Sequence, residues 1–456
     1  MKGKKINRRD FLKLQASLAL SSSSLLSILG AFSPLKAEEP TDYKALVCIF
    51  LEGGNDAFNM VVPTSAAAYS EYAKIRGDLS VPMEALLPLK ESGYGLFNMP
   101  ALQEMFNSDK LALVANVGTL DRPITKQEFT SGVYNPPQLF SHIDQQKQWM
   151  TANSNVIEDS GWAARAAYIL SNNNDFTNIS VDGSNFMQLG GEMAPLEITG
   201  TINPFKNYGY SDPDSALAFD EILHQIIQRE TESEHMLVRA YAENRVKNID
   251  YRTSVSEALE AAPDLHFTST LENEPGVPLA KQLEMIARLI SVHAQLPNAP
   301  KRQIFFARLH GFDHHALQMR DHPLKLSYLD NAMQEFQNAM EHMQLSEQVT
   351  TFTASDFGRS LVPNGNGTDH GWGGHALVMG GAVKGGEIYG DIPELKSLSG
   401  GYSSEYITES GRVIPTTSVE QYLATLAAWF GSYSSTQLET IFPNLNSFDK
   451  QTLGFI

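Results

Sequence analysis

Cysteine is almost absent from this 456-residue chain: Cys48 stands alone, so no intramolecular disulfide braces the fold and no thiolate cluster holds a metal. Its place in the apolar run Ala45 to Leu51 points to a packing role. Basic charge is scarce as well. Lys and Arg number 34 against 52 Asp and Glu, a formal net charge of −18, which excludes the basic stripe that nucleic acid or an anionic bilayer demands. An anionic substrate would instead be drawn by local positive charge from metal ions and arginines. Long apolar runs are missing: the mildly apolar stretch Leu14 to Phe32 is interrupted by Ser21 to Ser24, which makes it polar for a spanning helix. A phosphate loop is missing too, because Gly380 to Gly386 lacks the spacing and the following Ser or Thr.

What is present begins with Asn7-Arg8-Arg9-Asp10-Phe11-Leu12-Lys13, a twin-arginine export signature preceded by Lys2, Lys4 and Lys5. With a small residue at Ala37, the expectation is a signal peptide over residues 1–37, handled by the twin-arginine translocation machinery, and a periplasmic or secreted product. A retained membrane anchor is the alternative. Residues 38–456 read as one large α/β domain. Lys44 to Leu51, Leu111 to Val117, Gln303 to Leu309, Val349 to Ala354 and Ala376 to Met379 are strand-like, and Pro323 to Met343 and Ser418 to Phe430 are the clearest helices. Such alternation predicts a mostly parallel sheet with helices on both faces, whose ligands bind beyond the carboxyl ends of the strands. Residues of about 181–278 break the pattern with a Gly/Asn/Pro-rich opening and a charged helical stretch, and read as a helical insertion or cap.

Four segments near strand ends carry acids and imidazoles beside glycine. Glu52-Gly53-Gly54-Asn55-Asp56 follows the first strand and offers Asp56, either as a ligand or as a plain turn residue. Gly311-Phe312-Asp313-His314-His315 offers Asp313 and His315, which point the same way in an extended segment and converge on one ion, with His314 directed elsewhere. Ser355-Asp356-Phe357-Gly358-Arg359 places a carboxylate and a guanidinium at a strand end. Asp356 reads as a ligand and Arg359 as an anion clamp, or the two as an ion pair. Thr368-Asp369-His370-Gly371 offers His370 as ligand, with Asp369 or His375 as ligand or orienter. Oxygen and imidazole donors without thiolate suit Zn, Mn, Mg or Ca ions.

With the turn Gly53-Gly54-Asn55-Asp56-Ala57-Phe58-Asn59, Phe140-Ser141-His142 and Gly161-Trp162, these motifs resemble the exported family called domain of unknown function 1501, of the alkaline phosphatase-like (sulfatase-like) superfamily. The resemblance spans nearly all of residues 38–456. It implies an alkaline phosphatase-like fold and a two-metal site, with Asp313, His315 and His370 around one ion and Asp56 and Asp356 around the other. It also implies a Ser or Thr nucleophile at a helix N-terminus, for which Ser141 is the match and helix capping the alternative. His142 is then an acid, an anion binder or a surface residue. One departure stands out: Phe357 occupies the place of a histidine in the superfamily's Asp-His-Gly motif, which leaves Asp369 to compensate or the second site short of a ligand.

The function expected from these residues is hydrolysis of phosphate or sulfate esters with one or two divalent ions, by in-line attack from Ser141 or a metal-bound hydroxide. The partner is then an anionic ester. The alternative is a metal-binding exported protein without turnover, whose partner is a cell-surface component.

Overall fold

After its leading lysine, the run Lys44–Leu51 (β1) is buried at every position, as a strand covered on both faces requires. Alternate side chains part to opposite sides: Ala45, Val47, Ile49 and Leu51 enter one apolar cluster, and Leu46, Cys48 and Phe50 enter the other. Cys48 thus packs in the core, as its neighbours in sequence suggested.

In this computed structural model the described residues are 40–154, 160–170, 175–190, 195–198, 229, 232, 251, 254–268, 277–398 and 401–456. The expected signal peptide at 1–37 lies outside them, as does most of the expected cap at 181–278.

The other strands of the main sheet and of the hairpin beside it are Leu111–Gly118 (β2), Asn178–Ser180 (β3), Leu196–Glu197 (β4), Arg302–Leu309 (β5), Val349–Ser355 (β6), Arg359–Pro363 (β7), Thr368–His370 (β8), Gly374–Met379 (β9), Ile388–Tyr389 (β10) and Thr417–Ser418 (β11). The main sheet has the order β10-β2-β9-β6-β1-β5-β3-β4, with β11 also against β2. β1 runs parallel to β5 and β6 on either side. Only β9 is reversed, antiparallel to both β2 and β6, and β7 and β8 form a separate antiparallel hairpin. The sheet is mostly parallel, as expected.

The helices that matter here are Ala57–Met60 (α1), Ala66–Arg76 (α2), Pro100–Asn107 (α3), His142–Thr151 (α4), Trp162–Ile169 (α5), Leu279–Ser291 (α6), Gln318–His342 (α7) and Val419–Gly431 (α8). α3, α6 and α7 send Phe106, Ile286 and Phe336 into the cluster on one face. α4, α5 and α8 send Trp149, Trp162 and Phe430 into the other. Helices cover both faces, and apolar burial on each side fixes the register.

The expected strands recur within two residues at each end. α7 begins at Gln318, ahead of the expected Pro323, which lies inside the helix. As the sixth residue of α7, Pro323 forgoes a bond to the Met319 carbonyl and its ring crowds that carbonyl, so the helix continues through a residue that usually begins or breaks one. α8 follows Ser418, whose side chain joins Gln421 in a capping box. Among the described residues, no helix is long and apolar enough to cross a membrane.

Candidate metal centre

β1, β5 and β6 end level with one another, Leu51 facing Leu309 on one side and Ser355 on the other. The segments Glu52–Asp56, His310–His315 and Asp356–Arg359 therefore leave the sheet at a single edge. Two glycines let the first segment pass between the others. A Cβ on Gly53 (φ +113°) would stand 2.5 Å from the Asp313 nitrogen, and one on Gly54 (φ +83°) would stand 2.5 Å from the Phe357 ring. The close approach these glycines permit is to neighbouring protein. Because β9 is reversed, the segment that precedes it, with β8, arrives at the same edge.

Asp313 is the hub. Its Oδ1 lies 3.0 Å from His315 Nε2 and 3.3 Å from His370 Nε2, and the two imidazole nitrogens are 2.9 Å apart. His370 Nδ1 contacts the Phe140 carbonyl at 2.8 Å. A carbonyl only accepts, so this bond fixes the Nδ1–H tautomer and leaves Nε2 a bare lone pair facing Asp313. Burial also pushes the His370 pKa down, which favours the neutral ring. On the far side of His315, Nδ1 lies 3.7 Å from Asp369 Oδ1, and Asp369 accepts a 2.6 Å hydrogen bond from Asn364. Asp369 is thus a charged neighbour of His315 at a distance longer than a hydrogen bond.

A second arm reaches the hub from α4. His142 Nδ1 lies 2.6 Å from Asp356 Oδ2, and its Nε2 is a buried atom without a hydrogen-bond partner, 3.5 Å from Asp313 Oδ2. One ligand atom each from His142, Asp313 and His370 falls within 4.8 Å of the others. The hydrogen bond to Asp356 raises the His142 pKa against the effect of burial. Asp356 is fully buried and also accepts from the Gly53 N–H at 3.1 Å and from Gln146 at 3.0 Å. The Phe357 ring lies against His142 and His370, with centroids at 4.8 and 4.6 Å. Ser141 is the N-cap residue of α4, yet its side chain caps no backbone N–H; its Oγ donates instead to Asp144 Oδ2 at 2.5 Å.

Arg359 is 1% exposed. It donates to Asp313 Oδ1 at 2.7 Å, to the Gly53 carbonyl and to Thr368 Oγ1, both at 3.2 Å, and to the Thr368 carbonyl. Burial works against ionisation of Asp313, and the Arg359 guanidinium together with His315 and His142 outweighs it and holds the carboxyl below its usual range. Asp56 lies apart from the hub. Its carboxylate accepts from the Asn59 N–H at 3.2 Å, from Gln318 and from Arg76. Gln318 in turn accepts from Thr368 at 2.7 Å, so Asp56 joins the Arg359 network from behind.

The structure therefore brings together Asp313, His315, His370, Asp369, His142, Asp356 and Arg359, with Ser141 between two residues that touch the cluster. Three contributors escaped the sequence reading. Gln146 was legible, one helical turn beyond His142 on the same face. The Phe140 carbonyl and the Gly53 N–H carry no side-chain signal. His314 turns away and is buried with both ring nitrogens unpartnered, and burial lowers its pKa to about 4. His375, the other candidate orienter, accepts from the Asn116 N–H at 3.0 Å.

These residues fit a divalent cation. Tetrahedral ligands at metal bonds of ~2.0–2.1 Å lie about 3.3 Å from one another, close to the triangle drawn by Asp313, His315 and His370. The unpartnered Nε2 of His142 marks a place where a donor atom lacks an acceptor of its electron pair.

The family described as "Protein of unknown function (DUF1501)" matches residues 292–402, the stretch from the end of α6 through β5 to β10 that supplies Asp313, His315, Asp356, Arg359, Asp369 and His370. No curated protein matches the chain. Among solved structures, the C-terminal periplasmic domain of EcEptC from Escherichia coli, in complex with Zn, is 10% identical over 76% of this chain and 77% of that one, with a TM-score of 0.34. A protein of the alkaline phosphatase superfamily from Vibrio parahaemolyticus is 8% identical over 87% and 68% of the two chains, with a TM-score of 0.35. The alkaline phosphatase PafA is 9% identical over 71% and 64%, with a TM-score of 0.32. Likeness at this level carries neither substrate nor mechanism to this chain.

Proposed function

We propose that this chain, which shares with the DUF1501 family the segment bearing its acids and imidazoles, is an exported, alkaline phosphatase-like hydrolase of phosphate or sulfate esters that works with a divalent ion. The observation that carries the reading is the triangle of Asp313 Oδ1, His315 Nε2 and His370 Nε2, with edges of 3.0, 3.3 and 2.9 Å. Asp313, His315 and His370 would hold the ion, of the Zn, Mn, Mg or Ca class. Such an ion, when bound, polarises an ester oxygen and lowers the pKa of water.

The chain's own residues supply the rest. Ser141 presents its hydroxyl at the start of α4, where first-turn N–H groups and the helix dipole favour an anion. Asp144 accepts the Ser141 hydrogen bond and is placed to take its proton. Arg359 acts through Asp313, fixing the carboxylate that faces the ion. His142, backed by Asp356, lies beside that carboxylate. Export rests on Arg8 and Arg9, in the segment outside the described residues.

Purified protein supplied with Zn²⁺, Mn²⁺, Mg²⁺ or Ca²⁺ and assayed on aryl phosphates, phosphodiesters and aryl sulfates tests the reading, and turnover of at least one class is expected. The second reading, a metal-binding exported protein without turnover that engages a cell-surface component, is favoured by Phe357, buried where the superfamily motif has a histidine. Bound metal with no turnover on any of these esters would decide for it.

A further inference from the structure

We infer that the protein holds one metal ion per chain, and that Asp356 is not a ligand of a second ion but a positioning residue for His142, which becomes a fourth donor to the first. The inference rests on the metal-binding reading above and deepens it.

Three observations carry it. First, Asp356 has little left to offer an ion: it is fully buried and accepts from Gly53 N–H, Gln146 and His142, three of the roughly four acceptor sites of a carboxylate. Second, the residue that follows it is an apolar side chain packed among the neighbouring imidazoles. Phe357 is buried, packs on the His142 and His370 rings and lies so near Gly54 that no Cβ fits there. Asp56, the other ligand expected of a second ion, is paired with Arg76. Third, the bond from Asp356 engages Nδ1 of His142, so the free nitrogen is Nε2, and that atom is buried, unpartnered and directed at the Asp313 hub. A carboxylate on one ring nitrogen with the other turned to a ligand cluster is how an imidazole is held for metal binding. The histidine missing at position 357 is thereby replaced from a different element, at the start of α4, and for a different ion.

The experiment is reconstitution of the full chain with Co²⁺, read by metal content per chain, dissociation constant and visible absorption. Wild type is expected to take one ion. Asp313→Ala is expected to abolish binding; if wild type takes no ion, or Asp313→Ala binds as wild type does, the metal-binding reading itself fails, and this inference with it. His142→Ala and Asp356→Asn are each expected to keep one site, weaken it about 10–100-fold and shift the absorption band alike. The double variant is expected to bind no more weakly than His142→Ala, because Asp356 acts only through that ring. Unchanged melting temperatures of the metal-free variants separate this from misfolding. Two ions in wild type falling to one in Asp356→Asn, or additive losses in the double variant, overturn the inference while leaving the metal-binding reading in place.

Discussion

Arg76 and Asp56 form an ion pair closed to solvent on both sides, with side chains 0% and 1% exposed. Around it, Arg76 Nε donates to Asn59 at 2.9 Å and Nη1 to the Ser360 carbonyl at 3.0 Å, so the pair ties α2 to the start of α1 and to β7. Removing the guanidinium would leave a buried carboxylate uncompensated. Arg76→Met is expected to cost ~3–5 kcal/mol in urea unfolding. Asp56→Asn, where it folds, is expected to keep the full metal complement, and loss of an ion from that folded variant would return Asp56 to the ligand set.

Ser141 separates a catalytic role from a capping one. A capping serine changed to alanine typically costs ~1 kcal/mol, but this hydroxyl caps no backbone N–H. Ser141→Ala is therefore expected to unfold within about 0.5 kcal/mol of wild type while losing on the order of 10³-fold or more in kcat. Equal turnover in the variant would move the attack to a water molecule.

The Arg359 fork touches Asp313, Thr368 and Gly53 at once. Lysine keeps the charge but lacks the planar set of donors. Arg359→Lys is expected to weaken metal binding roughly tenfold or more and to lose about 2 kcal/mol in stability, measured by titration calorimetry and chemical unfolding. A variant that binds metal as wild type but loses only turnover would instead place the guanidinium on the substrate.

His310 gives the fold a dependence on pH. Asp182 and Glu52 flank its ring, and their hydrogen bonds raise its pKa from 6.5 to about 9. Because the folded value lies above the unfolded one, the stabilisation is complete below about pH 6.5 and is lost as pH rises through 9. For a ring 30% exposed, solvent screening leaves on the order of 1–2 kcal/mol. Urea unfolding of the metal-free protein between pH 6 and 10 is expected to show that decline, and His310→Asn to flatten it.

The frame of the sheet was legible because parallel strands covered on both faces read as continuous apolar runs, as Ala45–Leu51 does, while Val349–Ser355 was legible through its β-branched residues and Phe352 and buries three threonines. The acids and imidazoles at their ends were legible for the same reason, since the edge follows from the strands. What sequence concealed was division of labour. His142 and Asp356 lie 214 residues apart, and no local pattern announces that one carboxylate holds that ring. The carbonyl of Phe140, which sets the tautomer of His370, belongs to a residue type without chemical signal. Gly53 and Gly54 advertised a close approach, but not that its objects are Asp313 and Phe357. The twin-arginine segment and most of the expected cap lie outside the described residues.

The level ending of β1, β5 and β6 also bears on how the chain folds. β1 finds its neighbours only after some 250 to 300 residues of intervening chain: Leu51 pairs with Leu309 and Ser355, and the Gly53 N–H bonds Asp356 at a separation of 303. Contacts of such range close late and slowly. The Asp313 hub, braced by Gly53 and Arg359 across those strands, therefore reaches its final geometry only once the central sheet is assembled, and the cation uptake proposed for it is expected to follow the rate of that assembly.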